Sequence, residues 1–136
     1  AIVKRIEKLI AQGRPCLLST PFNINDVCQA ANQGDTLCKQ VLVQVATVLG
    51  NSIAICINLF HPQKIVLGGE IMASEAILLP TIQQCVEHQA LSSFSENLPI
   101  TVAHFQNSPT IGGLALVKRA LLDGSLLLRL ISDKAE

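Results

Sequence analysis

Gly68-Gly69-Glu70 is the part of this chain best suited to hold a ligand. Residues 64–67 read as a short strand with an apolar end, and the glycine pair follows directly. Glycine serves where a side chain would obstruct an approaching group or where the backbone needs an unusual dihedral. In open α/β sheets, ligands approach at such strand-end loops. Glu70 can bond a ligand or a neighbouring segment. A tight strand exit with no ligand, and a plain exposed carboxylate, explain the same residues and weigh more. Thr110-Ile111-Gly112-Gly113 is the second candidate. It opens a predicted helix, where free N–H groups and the macrodipole favour an anion such as a phosphate. Close packing of helix on sheet explains a lone glycine pair equally well.

The other reactive side chains do not converge along the sequence. Cys16, Cys28, Cys38, Cys56 and Cys85 are odd in number and form no C-x-x-C pair. Structural zinc sites usually show paired ligand spacing. Free, mostly buried thiols in a reducing cytoplasm are therefore expected, with no metal ligands. His61, His88 and His104 are too dispersed for a metal or catalytic constellation. His61 follows a predicted helix end, where a partly positive imidazole suits the C-terminal dipole. No Ser–His–Asp, Cys–His or paired-carboxylate arrangement is visible, so no catalytic residue is expected.

Charge narrows the function further. Ten Lys and Arg balance ten Asp and Glu, for a formal net charge of zero. A self-contained nucleic-acid module carries a basic excess that replaces counterions on phosphates. This segment is not expected to grip DNA itself, and the basic pair Lys118-Arg119 is expected to face water. Trp and Tyr are absent, which removes two of the usual stacking platforms for a sugar or base.

At 136 residues the chain makes one domain at most, and 49% hydrophobic residues exclude disorder. It begins inside what reads as a running helix and without an initiator Met, so a fragment of a longer protein is expected. Residues 2–12 are helical, with Ile2, Ile6, Leu9 and Ile10 on one face, and Gly13 stops them. Residues 14–22 are irregular, broken by Pro15 and Pro21. Asn23 or Asn25 caps a short helix through Asn32. Gly34 ends that helix, and Asp35 caps the next.

Residues 35–60 form the spine of the fold. From 41 to 60 they carry no charge. The run is long enough to span a membrane. Gln44, Asn51, Ser52 and Asn58, the missing aromatic belt and the strand that follows argue against a span. Val41, Val43 and Val45 alternate like a strand, but the unbroken length favours a helix buried on most sides. Gly50 weakens such a helix by ~1 kcal/mol relative to Ala, and close packing against another helix is the expected reason.

Pro62 ends the long helix. After the strand at 64–67, Ser74 caps a helix to about Leu91, kinked near 76–80 by Pro80. Ile77, Leu78, Ile82, Cys85 and Val86 make its buried face. Residues 92–97 are a polar loop and 100–105 a second strand, entered at Pro99. Thr110 caps a helix over 111–122 that Gly124 closes, and 125–131 add a last helical piece. Two strands alone make a poor sheet. The chain should expose apolar surface or a sheet edge unless a second copy covers it, so a dimer is expected.

Three segments resemble the ROK family of bacterial sugar kinases and sugar-responsive transcriptional repressors. Residues 58–69, NLFHPQKIVLGG, are similar to its N-L-F-x-P-x-x-I-V-I-G-G stretch. Residues 26–35, DVCQAANQGD, are similar to its A-x-x-G-D helix junction. Residues 111–127, IGGLALVKRALLDGSLL, resemble the repressor branch, amino-sugar-responsive members first and glucose-responsive ones next. The likeness runs from about residue 25 to 131.

It implies an α/β fold: the C-terminal part of an actin-like, ribonuclease-H-like domain, helix-rich, with two main strands and a long buried central helix. The missing strands would come from upstream. It implies one partial domain over 1–136, without the DNA reader. In the family's kinases the matching glycine loop approaches the nucleotide. The sugar-gripping residues, the catalytic Asp and the zinc ligands (a His and a C-x-C-G-x-x-G-C cluster) lie upstream, so no cofactor is expected in this segment and zinc is expected in the full-length protein. The implied role is an effector-sensing and oligomerisation segment of a cytoplasmic repressor. Its implied partners are a second copy, operator DNA and a sugar phosphate, N-acetylglucosamine 6-phosphate first. The alternative is the C-terminal half of an ATP-dependent sugar kinase.

Overall fold

Ile6 is the anchor of the first helix, α1 (Ile2–Ala11). It is fully buried, while Ile2, Leu9 and Ile10 pack partly against the same core. The structure is a computed structural model that describes residues 1–103. Expectations for His104, strand residue Phe105, Thr110, Gly112, Gly113 and the helices beyond fall outside the described residues. After α1 the chain turns at Gly13, whose φ of +84° suits glycine.

Helix α2 (Ile24–Asn32) opens on Asn23, one of the two caps the sequence offered. Asn23 Oδ1 accepts the N–H groups of Asn25 and Asp26 at 2.8 and 3.1 Å, and Asp26 accepts the Asn23 N–H at 2.8 Å. This reciprocal box satisfies donors that the first turn leaves open. Gly34 then reverses the chain at φ +102°. Asp35 caps α3 (Thr36–Phe60), a single helix of 25 residues, and the valine alternation at 41–45 lies inside it.

Gly50 has the packing role expected of it. A Cβ built there would lie 2.6 Å from Cys85 Cβ and 3.2 Å from Ile82 Cα, both on α4 (Glu75–Gln89). The two longest helices touch where one has no side chain. Leu42, Ala46, Leu78 and Ile82 fill the core around this contact, with Val27 and Leu37 beside them.

Helix α3 departs from expectation on its other side. Val48, Ile55, Leu59 and Phe60 are 57–74% exposed, so the helix is not buried on most sides. Among the described residues no element covers that face. Helix α3 is long and apolar enough to cross a membrane by length and composition, with 33% of its most apolar stretch buried. Its polar residues are used locally: Asn58 bonds Gln89 and Leu91 at the end of α4, and Asn51 accepts from Gln89.

Asn58 explains where α4 ends. Its Oδ1 accepts the Leu91 N–H at 2.9 Å, and its Nδ2 donates to the Gln89 carbonyl at 3.1 Å. The helix therefore stops at Gln89 rather than about Leu91. His61 ends α3 in the left-handed region, φ +45°, which His tolerates better than most side chains. Its ring lies 3.7 Å from that of Phe94, a packing role. Phe94 belongs to α5 (Ser92–Ser95), a helical turn where a polar loop was expected. The Leu91 carbonyl accepts from the Ser95 backbone N–H and Oγ, which closes the turn.

Strands β1 (Ile65–Leu67) and β2 (Ile100–Val102) pair in parallel, with Ile65 opposite Ile100 and Leu67 opposite Val102. Between them a 3-10 helix (Glu70–Ser74), which the sequence reading lacked, leads into α4. Ser74 occupies the position before α4 but does not cap it with its side chain. Its buried Oγ instead donates to the Cys28 carbonyl of α2 at 3.2 Å. Helix α4 runs unbroken through Pro80. The Ala76 carbonyl freed by proline lies on an exposed turn, where water can satisfy it.

Candidate functional site

The glycine loop sits at the C-terminal end of β1, the end at which ligands meet open α/β sheets. Leu67 accepts the Ala103 N–H at 2.7 Å, so the strand pairing holds up to the loop. Gly68, Gly69 and Glu70 are all exposed. The two glycines differ in kind. Gly69 has φ +108° and ψ 165°, a conformation essentially reserved to glycine, and nothing lies within 4 Å of where its Cβ would be. Gly68 has an ordinary φ, and its nearest neighbour would be Ala103 Cβ at 4.0 Å. Backbone shape therefore requires Gly69. Among the described residues nothing requires Gly68.

Glu70 starts the 3-10 helix, and the Met72 N–H closes its first turn on the Gly69 carbonyl at 3.0 Å. Met72 and Ser74 are buried against α2, and Asn32 Nδ2 donates to the Ala73 carbonyl at 3.1 Å. The loop is thus an open platform with a fixed base. It can offer backbone groups and one carboxylate to a ligand or to a facing segment. The other sequence candidates, Thr110, Gly112 and Gly113, lie outside the described residues.

Among the described residues, the ionisable groups with shifted pKa values lie elsewhere, at the start of α3. Asp35 is 6% exposed. Burial pushes its carboxyl up, but N–H bonds from Cys38 and Leu17, with the thiols of Cys38 and Cys16, outweigh this and hold it below the usual carboxylate range. Burial pushes the Cys38 thiol well up, and the neighbouring Cys16 thiol and Asp35 charge add to it. Sequence spacing did not place Cys16 here. The Asp35-x-x-Cys38 step at a helix start was readable, but the approach of residue 16 depends on how the 14–22 segment folds. The thiols are also less uniformly buried than expected: Cys28 and Cys38 are buried, Cys16 and Cys85 half-buried, Cys56 exposed.

A family model described as the ROK family matches residues 1–120. The chain belongs to the ROK family. The DNA-binding transcriptional dual regulator NagC of Escherichia coli K12 is 43% identical over 134 residues, 98% of this chain and 33% of NagC. The N-acetylglucosamine repressor of Escherichia coli O6:H1 matches to the same extent. The crystal structure of a ROK family transcriptional regulator, a homologue of the E. coli MLC protein, superposes with a TM-score of 0.86 at 40% identity. That match covers 97% of this chain and 34% of the other. The chain thus spans about a third of the length of the relatives it matches.

These likenesses bear out the ROK resemblance and the α/β fold class read from the sequence.

Proposed function

We propose that this chain is the C-terminal effector-sensing and oligomerisation segment of a cytoplasmic ROK-type transcriptional repressor. The effector on this reading is an amino-sugar phosphate, N-acetylglucosamine 6-phosphate, and the controlled genes serve amino-sugar uptake and catabolism. The observation that carries it is the 43% identity to a DNA-binding regulator and an N-acetylglucosamine repressor across 98% of the chain. The segment catalyses nothing. It supplies one wall of the effector cleft at Gly68-Gly69-Glu70, with Thr110, Gly112 and Gly113 as further contributors, and the geometry between two copies.

The physical logic is a population shift. The effector must bind one arrangement of the subunit better than another, and the difference sets how far DNA affinity falls. Operator half-site spacing mirrors the symmetry of the protein, so a dimer whose geometry shifts loses its register on DNA. The zero net charge of the chain supports a division of labour in which DNA is read by another domain. Zinc in the full-length protein would use the upstream His and C-x-C-G-x-x-G-C ligands, a motif that these 136 residues do not contain.

The test is a mobility shift of operator DNA with the full-length protein, with and without N-acetylglucosamine 6-phosphate. Binding that the sugar phosphate abolishes is expected. Binding that it leaves untouched refutes the effector and keeps the repressor. No binding to DNA refutes the repressor.

A further inference from the structure

Three donor side chains that the proposed function does not use meet beside the N-terminus of α3. Cys16 Sγ and Cys38 Sγ are 3.7 Å apart. Asp35 lies between the segments that bear them. Its Oδ1 accepts the Cys38 N–H at 2.8 Å, and its Oδ2 accepts the Leu17 N–H at 2.6 Å. One ligand atom from each of the three side chains falls within 4.8 Å of the others. Cys38 is fully buried, Asp35 nearly so, and Cys16 half-exposed.

We infer that Cys16, Asp35 and Cys38 form a binding site for a thiophilic divalent cation of the zinc class. Two Zn–S bonds of ~2.3 Å at a tetrahedral angle hold their sulfurs ~3.8 Å apart, which is the separation already present. A disulfide needs ~2.05 Å, so the pair would have to close much further to become one. Two thiols and a carboxylate also suit zinc better than magnesium or calcium, which take oxygen ligands.

Burial, the Cys16 thiol and the Asp35 charge hold the Cys38 thiol protonated in the metal-free chain, so the cation itself must drive its deprotonation. Cys38 stands in the first turn of a 25-residue helix, whose N-terminal dipole offsets part of that cost. With both thiols deprotonated, the three ligands bring three negative charges to a doubly charged ion, and the two thiol protons leave to solvent. The N–H bonds from Leu17 and Cys38 fix the carboxylate and leave each oxygen a second lone pair for the metal. The half-exposed Cys16 side is where water completes the coordination. This set is separate from the C-x-C-G-x-x-G-C motif that the family resemblance places upstream.

The 136-residue chain is itself the test system, because that motif is absent from it. The chain is stripped of metal, held reduced by a phosphine and titrated with cobalt(II), then with zinc. One equivalent of cobalt should raise thiolate-to-cobalt absorption in the near ultraviolet with visible tetrahedral bands, and zinc should bleach both. Cys16→Ala and Cys38→Ala should each weaken binding by ~100-fold or more, beyond the 10–100-fold typical of losing an outer-sphere partner. Asp35→Asn keeps a capping oxygen and should weaken it at least ~10-fold. Cys56→Ala and Cys85→Ala should titrate like the parent. Cys16 is half-exposed on a loop, so its variant decides the matter even if Cys38→Ala folds poorly. A parent chain with no thiolate band at one equivalent, or a Cys16→Ala chain that keeps the band, overturns the site. So does a chain in which peroxide joins Cys16 to Cys38 while cobalt, under reducing conditions, is ignored.

Discussion

Gly50→Ala sets two effects of opposite sign against each other. Replacing glycine by alanine inside a helix gains ~1 kcal/mol from backbone entropy alone. Here the added Cβ meets Cys85 Cβ at 2.6 Å and Ile82 Cα at 3.2 Å. Carbon atoms pack at ~3.5–4.0 Å, so α3 and α4 must part locally by about 1 Å. Neither neighbour can rotate away, because one is a backbone atom and the other is bonded to backbone. Overpacking of this kind costs ~1–3 kcal/mol, and rigid neighbours put Gly50 at the upper end. The net expectation is a loss of ~2 kcal/mol in urea unfolding of the chain followed by circular dichroism, seen as a lower midpoint at unchanged slope. Cys85→Gly moves the missing Cβ from one helix to the other. The double variant Gly50→Ala, Cys85→Gly should therefore show a favourable coupling of ~1–3 kcal/mol in a double-mutant cycle. A Gly50→Ala chain that is more stable by ~1 kcal/mol would refute the reasoning, since propensity would then outweigh the contact. Zero coupling would refute it too.

Four further outcomes are expected. Gly69→Ala should cost ~1–3 kcal/mol because its φ of +108° suits only glycine, while Gly68→Ala should stay within ~0.5 kcal/mol; equal costs in thermal unfolding would contradict the contrast. Asn58→Ala should lose ~1 kcal/mol and fray the end of α4, since two hydrogen bonds to Gln89 and Leu91 go with it; amide exchange at Leu91 reads this directly. In the metal-free chain, the Asp35 carboxyl is held below its unfolded value of ~3.9, so its contribution is full above about pH 4 and fades as pH falls through the folded value. The stability gap between parent and Asp35→Asn should therefore shrink on acidification, and a gap constant from pH 6 to 3 would count against it. Ile55→Glu should change the chain by under ~0.5 kcal/mol because Ile55 is 57% exposed, yet cost the full-length protein ~2 kcal/mol or more if that face is covered there; calorimetry of both distinguishes the cases.

Much of the local structure was legible because its causes are local. Asn23, Asp35, Gly13, Gly34 and Pro62 start or stop helices by their own bonding and dihedral limits, and the structure places each at such a boundary. Gly50 was legible for a different reason: a glycine in an apolar helix needs a close neighbour to offset its cost. The end of α4 was not legible, since it depends on Asn58 reaching across from another helix. Ser74 was misread because its hydroxyl serves α2 rather than its own helix. The glycine loop was found, but sequence could not separate Gly69, fixed by backbone shape, from Gly68. The cluster of Cys16, Asp35 and Cys38 spans 23 positions and depends on an irregular segment, so neither spacing nor periodicity announces it.

The reading of α3 as buried on most sides failed for an instructive reason. An uncharged run from 41 to 60 says that water is avoided, but not what replaces it. Three environments satisfy that demand: lipid, the chain's own core and surfaces supplied by other chain. The Gly50 contact and the core around Leu42 and Ala46 account for one face. Val48, Ile55, Leu59 and Phe60 account for the other, and nothing among the described residues meets them. Val66 on β1 is 58% exposed as well. The uncharged run therefore reports two surfaces with different neighbours: one face packed on α4 through Gly50, the other open among the described residues.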